Sequence, residues 1–342
     1  MNSDALAPWS IDAADYPRTA PPAARWRFLV GYAILAPSGH NTQPWIFRIA
    51  GDRLEVRADR TRCLPVVDPH DRALAISCGA AIACLEAALR ALGHAGEIAL
   101  LPDADDPDLF ARIGFGPSHA PDAEDAKRLA AIGLRRTTRR AFADAPLPDG
   151  LAERMRALAE ARGVALAILE DAAAKRAVAA LVAEGDRAQF ADPSFRRELA
   201  AWVHPRRTGD GLSGAAFGMP DVLSSVGGLV IRTFDMGEGI GAKDEAIAAG
   251  SPALLAFSTP GDTPRDWLAA GAAHLDVLLE VAAAGLTAAY LNQPVEVDAL
   301  RPRLAEAIGE AGLPQLLMRI GRGPAIAPAA RRPVAAVIEE TP

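Results

Sequence analysis

The sequence predicts an α+β protein of two tandem half-units, with mixed, mainly antiparallel sheets flanked by helices around buried central helices. The first observation is an almost wholly apolar segment at residues 71–93, which is typical of a helix buried on all sides. The second is a matching segment at residues 264–286. The third is a series of short apolar segments, bounded by Gly, Pro and Asp, that alternates with helical patterns along the chain.

The first half-unit is predicted at residues 22–121, after an irregular, Pro-rich arm at residues 1–21. Its predicted elements are a helix at 23–36, a hairpin of two strands at 44–59, the buried helix at 71–93, and strands at 96–103 and 109–116. Gly51 and Asp52 form a turn pair in the middle of the hairpin.

The second half-unit is predicted at residues 122–342. It opens with a helix whose acidic first turn suits the positive end of the helix dipole. The later predicted elements are a helix after Pro148, a strand at 164–171, a second helix, a polar segment at 185–226, strands at 227–234 and 252–259, the helix at 264–286, a strand at 287–297, a helix at 298–312 and a strand at 314–321.

An internal repeat supports the division into half-units. A Gly-Ala-Ala triplet at residues 79–81 recurs at residues 271–273, and the two helical stretches stop at Gly93 and Gly285. Ala-rich helices resemble one another by composition, which explains part of the match. The shared glycine stops, each followed by an extended apolar segment, favour duplication.

Composition limits the classes of function. The chain has 342 residues, is 50% apolar and carries a net charge of −7, so it is globular and poorly suited to binding nucleic acid or anionic membranes. Its three cysteines have no metal-binding spacing and indicate a reducing compartment. No signal peptide or membrane-length apolar run is visible, so we expect a cytoplasmic protein without a metal site.

The turn between the first helix and the hairpin is unusually polar. It reads "ILAPSGHNTQPWIF" at residues 34–47. One interpretation is structural: Pro37 to Gly39 end the helix, Asn41 caps the turn and Trp45 fills the core. That interpretation leaves the combination of His, Asn, Thr and Gln unexplained. Amides carry donors and acceptors, which match the edge of a flat heterocycle with carbonyl and ring nitrogen groups.

A basic segment, "RRTTRRAF" at residues 135–142, is the second anomaly. Six cations and no carboxylate lie between Ala126 and Ala143 in a chain that is acidic overall. We expect Arg136, Arg139 and Arg140 to fall within one helical turn, where their charges repel. Either the segment is a solvated basic face, or it binds an anion such as a phosphate.

Other candidate motifs have simpler explanations. Residues 228–250 offer a predicted strand and Gly237-x-Gly239-x-x-Ala242, but the helix that follows is too short for a dinucleotide crossover. We interpret this stretch as a flexible Gly-rich loop, with dinucleotide binding as the alternative. His274 is expected to be a core histidine. Three carboxylates that qualify as acid/base groups are interpreted as surface charge: Asp186, Asp192 and Glu198.

The turn and the basic segment together resemble motifs of the nitroreductase family of flavin proteins. The family combines an Arg-x-Ser-x-Arg/Lys-x-Phe segment with a Pro-Ser-x-x-Asn-x-Gln-Pro-Trp turn. The matching residues are Arg136, Thr138, Arg140 and Phe142 for the first pattern, and Pro37, Ser38, Asn41, Gln43, Pro44 and Trp45 for the second. Thr138 stands where the family has Ser. The resemblance covers roughly residues 24–332.

The order of the two motifs differs from the family. In an ordinary member the Arg segment comes first, and FMN lies between two identical subunits. Here the turn is in the first half and the Arg segment is in the second. The chain therefore resembles a fused pseudo-dimer of the twin-domain branch, which is compatible with a monomeric protein. The first half has no copy of the Arg segment, and the second half has no copy of the polar turn. We therefore expect one FMN per chain, between the halves.

The resemblance also implies a set of cofactor-binding residues. Asn292 and Gln293 follow the second core helix, where the family offers backbone groups to the flavin. Arg332 matches a basic residue that reaches the phosphate. The segment 185–226 lies where a mobile lid is expected, with Trp202, His204, Phe217 and Met219. The implied cofactor-binding residues are Pro37, Ser38, Gly39, His40, Asn41, Gln43, Arg136, Thr138, Arg140, Asn292, Gln293 and Arg332.

The resemblance implies an FMN-dependent oxidoreductase. NADH or NADPH would reduce the flavin, which would reduce a small acceptor such as a nitroaromatic or a quinone. No protein side chain is expected to act as acid or base. The alternative is a protein that binds and sequesters FMN under a closed lid, with little or no reductase activity.

Overall fold

The computed structural model describes residues 5–204, 208–213, 224–310 and 312–340. Its helices in this part of the chain are α1 Pro22–Ala33, α2 Arg72–Ala91, α3 Ala123–Leu134, α4 Leu151–Glu160, α5 Ala172–Ala191, α6 Pro193–Ala201, α7 Ser224–Thr233, α8 Gly237–Ala249, α9 Pro264–Ala283, α10 Gln293–Glu296 and α11 Arg301–Ile308. Its strands are β1 Trp45–Ala50, β2 Arg53–Ala58, β3 Glu97–Leu100, β4 Leu109–Gly114, β5 Ala165–Leu169, β6 Ala253–Thr259, β7 Thr287–Tyr290, β8 Leu313–Gly321 and β9 Ile338–Glu340.

The strands form two sheets, and the predicted α+β class is confirmed. One sheet has the order β3-β4-β2-β1-β9 and the other β5-β6-β8-β7. All described strand pairs are antiparallel except β1 with β9. The predicted hairpin is present: β1 and β2 pair from Trp45↔Ala58 to Ala50↔Arg53, with Gly51 at φ 62° in the turn.

The C-terminal strand returns to the first sheet. Phe47 on β1 pairs with Ile338 on β9, and Val337 belongs to the core around β1 and α2. The second half-unit, predicted at residues 122–342, therefore contributes its last strand to the sheet of the first. The pairing of β9 with β1 brings residues 330–332 close to the polar turn before β1.

Helices α2 and α9 cross at the centre of the molecule with their backbones in contact. A Cβ atom on Gly79 would lie 2.3 Å from the carbonyl oxygen of Leu268, and one on Gly271 would lie 2.0 Å from that of Ile76. Gly79 thus faces Leu268, three positions before Gly271, and Gly271 faces Ile76, three positions before Gly79. Such a reciprocal contact is typical of a two-fold interface, and duplication remains a prediction.

Helix α2 has the length and apolar composition of a membrane-spanning helix, but its most apolar stretch is 83% buried inside the protein. Sixteen of its residues are buried, including Cys78, Cys84 and Leu85. A core helix of a folded domain has the same apolar character, because it is surrounded by protein on all sides. The predicted central position of α2 is confirmed.

The flexible Gly-rich loop predicted within residues 228–250 is wrong, as is the strand predicted at residues 227–234. Residues 224–233 form α7, and Gly237 begins the thirteen-residue helix α8. A Cβ atom on Gly241 would lie 2.9 Å from the carbonyl oxygen of Ala183, and one on Gly237 would lie 3.0 Å from the Cα of Arg187. These glycines allow α8 to pack closely on α5. The dinucleotide alternative loses its support, since its fingerprint requires a preceding strand.

The helical turn predicted for the basic segment is also wrong. Helix α3 ends at Leu134, and the segment runs extended beside β7. The backbone N–H of Thr138 donates to the carbonyl oxygen of Ala288 at 3.0 Å. This hydrogen bond to the second sheet takes the place of the one that a further turn of α3 would provide.

The predicted lid at 185–226 is only partly described. Residues 185–191 complete α5, and α6 follows directly. Trp202 and His204 lie just after α6, whereas Phe217 and Met219 lie outside the described residues. An apolar cluster joins α5, α6 and α7 to the first half, and its buried members are Leu64, Val67, Phe190, Phe195, Leu199, Val203 and Ile231.

Candidate functional site

A cavity of about 850 Å³ lies between the two halves of the molecule. It is lined by the polar turn of the first half and by the basic segment of the second. Helices α5 to α8, the end of β7 and residues 325–331 complete the wall. The structure therefore brings together two motifs that are about a hundred residues apart. Ten of the twelve predicted site residues line it: Pro37, Ser38, Gly39, His40, Asn41, Arg136, Thr138, Arg140, Asn292 and Gln293.

The polar turn holds an unusual backbone conformation. His40, Asn41 and Gln43 have φ values of 47°, 56° and 54°, a left-handed region in which non-glycine residues are strained. The hydroxyl of Ser38 supports this shape by accepting a hydrogen bond from the backbone N–H of Gln43 at 2.9 Å. Part of the polar character of the turn therefore serves to hold the strained backbone next to the cavity.

Asn41 ties the turn to two distant segments. Its Nδ2 donates to the carbonyl oxygens of Gly211, at 3.1 Å, and Ala330, at 3.2 Å. Its Oδ1 accepts from a guanidinium nitrogen of Arg331 at 2.8 Å. The side chain is buried and uses both its donor and acceptor groups within the protein. Asn41 therefore organises the wall as well as lining the cavity.

Replacing Asn41 with alanine is expected to destabilise the protein by about 1–3 kcal/mol, because it leaves buried partners unsatisfied. The carbonyl oxygen of Gly211 would lose its side-chain donor, and the guanidinium of Arg331, which still donates to Ala330, would lose its amide acceptor. Urea unfolding followed by circular dichroism measures this change. An unfolding free energy within about 0.5 kcal/mol of the unmodified protein would contradict the prediction.

Gln43 and Arg332 lie outside the cavity lining, where they contact each other. The side chain of Gln43 donates to the carbonyl oxygen of Gly209 at 2.9 Å and accepts from the backbone N–H of Arg332 at 2.9 Å. The guanidinium of Arg332 contacts the backbone oxygen of Gln43 and the carboxylate of Asp59. Both side chains form hydrogen bonds within the protein, outside the cavity lining. This placement does not support their predicted contact with a cofactor.

Arg331 occupies the cavity wall instead of Arg332. Its guanidinium is buried and donates to the carbonyl oxygens of Leu35 and Ala36, each at 3.2 Å. Burial lowers the pKa of Arg331 to about 9. The two neighbouring arginines therefore have different surroundings: Arg331 lines the cavity, whereas Arg332, the residue predicted from the resemblance, contacts Gln43 and Asp59.

The N-terminal arm contributes Trp9, which sequence reasoning missed. The guanidinium carbons of Arg136 and Arg331 lie 4.9 Å and 5.0 Å from the centre of its ring. The indole N–H donates to the carbonyl oxygen of Ala329 at 2.8 Å. The arm thus covers two arginines of the cavity, one from the basic segment and one from the C-terminal segment.

Within the basic segment, the arginines have different environments. Arg135 is buried and donates to the carbonyl oxygen of Leu35 at 3.1 Å. Arg136 donates to the carbonyl oxygens of Gly133 and Arg135, each at 2.8 Å. The side chain of Arg140 is exposed, and its backbone N–H donates to the hydroxyl of Thr138 at 3.2 Å. The cations of the segment therefore range from buried, at Arg135, to exposed, at Arg140.

Arg319 on β8 is a second residue that the sequence did not reveal. It is 1% exposed, and its Nη2 donates to the carbonyl oxygens of Thr138 and Arg140 at 3.1 Å and 3.0 Å. Its Nε and Nη1 have no hydrogen-bond partner among the described residues. Burial lowers its pKa to about 10. The only available signal was a single arginine inside the apolar strand "LPQLLMRIG".

The loop after β7 provides Asn292 and Gln293. The Oδ1 atom of Asn292 accepts from the backbone N–H of Leu317 at 3.0 Å. The Nε2 atom of Gln293 donates to carboxylate oxygens of Asp186, at 3.0 Å, and Asp244, at 3.4 Å. The strand predicted at residues 287–297 ends at Tyr290, because α10 starts directly at Gln293.

Asp186 is not the surface charge expected from the sequence. It is 2% exposed, and burial together with the charge of Asp244 raises its pKa to about 7. The other two carboxylates have structural roles. Asp192 caps α6 through the backbone N–H of Ser194, and Glu198 accepts from the backbone of residues 66–67.

Two histidines of the wall are uncharged at neutral pH. Burial and the charge of Arg139 lower the pKa of His40 to about 4. His274 is 2% exposed and forms a 2.8 Å hydrogen bond with the hydroxyl of Tyr290. Burial lowers its pKa to about 3. His274 is buried in the core as expected, but its Nδ1 atom has no hydrogen-bond partner among the described residues, and the residue borders the cavity.

The chain has relatives of similar length. It is 33% identical over 328 residues to "Putative NAD(P)H nitroreductase Rv3131" of Mycobacterium tuberculosis, covering 93% of this chain and 92% of that protein. It is 30% identical over 322 residues to "Uncharacterized protein Rv3127" of the same organism, with 90% of each chain covered. No family model matches the chain.

The chain also matches solved structures at low sequence identity. One is an FMN and NADPH-dependent nitroreductase, NfnB, from sphigopyxis sp. strain HMH. It is 17% identical, with a TM-score of 0.41, and the match covers 62% of this chain and 97% of that chain.

Proposed function

The chain belongs to the nitroreductase family, and from this premise we propose that it is an NAD(P)H-dependent oxidoreductase that binds one FMN in the central cavity. NADH or NADPH would reduce the flavin, and a small acceptor such as a nitroaromatic or a quinone would receive the electrons. The observation that carries the proposal is one cavity lined by both halves of the FMN motif, the polar turn and the basic segment.

The residues present fit a bound FMN. Six buried polar atoms without a partner among the described residues belong to the cavity wall: Asp186 Oδ2, His274 Nδ1, Gln293 Oε1, Arg319 Nε, Arg319 Nη1 and Arg331 Nε. Buried polar atoms are normally hydrogen-bonded, so this concentration indicates a polar ligand. A volume of about 850 Å³ suits a ligand of this class.

Each part of the wall would have a distinct role. Arg136 and Arg140 would hold the phosphate by charge-assisted hydrogen bonds, and Thr138 orders the backbone between them. The part of the turn at residues 38–41 and the loop at 292–293 would face the flavin ring from opposite halves. FMN would supply hydride and electron transfer, so the chain's contribution is binding, orientation and exclusion of water.

A second function is favoured by a separate observation. The apolar cluster of α5, α6 and α7 reaches across to Leu64 and Val67 of the first half, and most of its members also line the cavity. A cover of this kind would keep NAD(P)H away from the flavin if it stayed closed. The protein would then bind and sequester FMN without reducing an acceptor.

The two functions are separated by mixing the purified, FMN-loaded protein with NADH or NADPH in the absence of oxygen. We expect the flavin absorbance to bleach and to return when a quinone or nitroaromatic is added. A flavin that stays oxidised with both nucleotides would contradict the reductase function and support sequestration. A colourless protein that takes up no added FMN would contradict both.

Three further features belong to this proposal. The reciprocal contact of Gly79 and Gly271 supports an origin by duplication, with the two halves forming a pseudo-dimer within one chain. Because that pseudo-dimer is intramolecular, the chain is proposed to act as a monomer. The free thiols of Cys63, Cys78 and Cys84 support a reducing, cytoplasmic location.

A further inference from the structure

Two carboxylates share one amide in the cavity wall. Asp186 lies on α5 and Asp244 on α8, and both accept a hydrogen bond from the same Nε2 atom of Gln293. Because an oxygen of each group lies within 3.4 Å of one amide nitrogen, the two carboxylates are neighbours in the wall. Two carboxylates at such a separation do not both ionise readily, because their negative charges repel.

The position of the amide is fixed by the packing around it. A Cβ atom on Gly185 would lie 2.6 Å from the Cβ of Gln293, so only glycine allows α5 to approach this closely. Gln293 is the first residue of α10, the short helix that follows β7. The arrangement therefore depends on the packing of three helices, α5, α8 and α10.

The surrounding charges leave Asp186 as the group that holds a proton. Asp244 and Glu296 raise its pKa in addition to burial, whereas Gln293 and Arg139 lower it. The pKa of Asp244 is also raised by burial, but Arg139, Lys243 and Arg319 all counteract this increase. Asp186 therefore holds a proton more readily than Asp244 does.

The second oxygen of Asp186 is buried and unpaired within the described part of the protein. Its Oδ2 atom has no hydrogen-bond partner among the described residues, and neither has the neighbouring Oε1 of Gln293. Both residues line the cavity. A buried acid with one unused oxygen at the edge of a ligand cavity has the geometry of a proton donor.

We propose that Asp186 and Asp244 share one proton and that Asp186 donates it to an oxygen atom of the acceptor during its reduction. For a quinone, FMN would supply a hydride to one carbonyl oxygen, and the other carbonyl oxygen, which gains the negative charge, would take up the proton. The O–H bond of Asp186 breaks as an O–H bond forms on the acceptor oxygen. Asp186 then recovers a proton from water. This inference rests on the proposed reductase function and adds to it a proton donor for the acceptor.

The shared proton is tested by infrared spectroscopy on the purified, FMN-loaded protein. We expect a neutral carboxyl band that disappears as the pH rises through about 7 and that is absent in Asp186→Asn. The matched control is Glu184→Gln, an exposed carboxylate on the same helix, which should leave the band unchanged. A spectrum without a carboxyl that titrates near neutral pH would overturn the proposal.

The proton transfer is tested by mixing the reduced protein with 1,4-benzoquinone at several pH values. Asp186→Asn should slow reoxidation by about 100-fold below pH 7 and remove its decline at higher pH. Equal reoxidation rates and pH profiles in the two proteins would overturn the proposal. Loss of bleaching in the unmodified protein would instead count against the reductase function.

A second variant keeps the proposal testable if Asp186→Asn does not fold. Asp244→Asn removes the like charge but retains the acid, so the carboxyl band should persist and titrate at lower pH. An unchanged titration in this variant would show that the two carboxylates do not share a proton, and it would also overturn the proposal.

Discussion

Replacing both Arg136 and Arg140 with alanine is expected to abolish the retention of FMN during purification. Both residues line the cavity on the side of the second half, and Arg136 is held in place by two backbone carbonyl oxygens and by Trp9. Hydrogen bonds between charged groups contribute about 1.5–3 kcal/mol each, so losing two weakens FMN binding by about 100-fold or more. Flavin absorbance per chain and fluorescence titration with FMN measure the effect.

A matched control separates charge from position. Arg176 and Arg303 are exposed arginines on α5 and α11 and do not line the cavity. Replacing both with alanine removes the same net charge and should leave FMN retention unchanged. Full retention in the Arg136→Ala/Arg140→Ala protein, or equal loss in the control, would contradict the assignment of the phosphate site. Thermal unfolding of all three proteins identifies a loss that arises from misfolding.

Replacing Gly271 with valine is expected to have the largest effect on stability. A Cβ atom there would lie 2.0 Å from the carbonyl oxygen of Ile76, which is backbone of α2 and has no freedom to rotate away. The two central helices would have to separate, and both cores pack against them. We expect a loss of at least about 3 kcal/mol in the free energy of unfolding, or failure to accumulate as folded protein.

Gly239 provides the control for this substitution. It lies within α8, and a Cβ atom there would meet nothing within 4 Å. Gly239→Ala should therefore stabilise the protein by about 0.5–1 kcal/mol, since alanine has the higher helix propensity. Chemical unfolding of both variants measures the two free energies. A Gly271→Val protein as stable as Gly239→Ala would contradict the described crossing of α2 and α9.

Local patterns were sufficient for much of the fold. The hairpin around Gly51 and Asp52 has a period of two and a turn pair, and both central helices are long apolar stretches with clear ends. These signals depend only on residues close in sequence. The strand predicted at 227–234 was wrong because a short apolar run fits a strand or a buried helix equally well. The packing of α7 against the end of α6, where a Cβ atom on Gly228 would lie 3.3 Å from the carbonyl oxygen of Ala200, is a tertiary contact that decides between them.

The candidate site was predictable as a set of motifs but not as a geometry. The family resemblance identified the turn and the basic segment, and the structure brings both to one cavity. Whether Arg331 or Arg332 faces that cavity depends on the path of the C-terminal segment beside β1. Asp186 and Asp244 are 58 residues apart in the chain, on different helices. Their shared contact with Gln293 requires the assembled fold, and no local pattern indicates it.

The central claim is that both halves of a single chain build one FMN site. Native mass spectrometry of the purified full-length protein, mixed with FMN, tests it most directly. We predict one species with the mass of a single chain plus one FMN, and its loss in the Arg136→Ala/Arg140→Ala protein. A single chain without FMN, two FMN molecules per chain, or FMN bound only to a dimer of chains would contradict the claim.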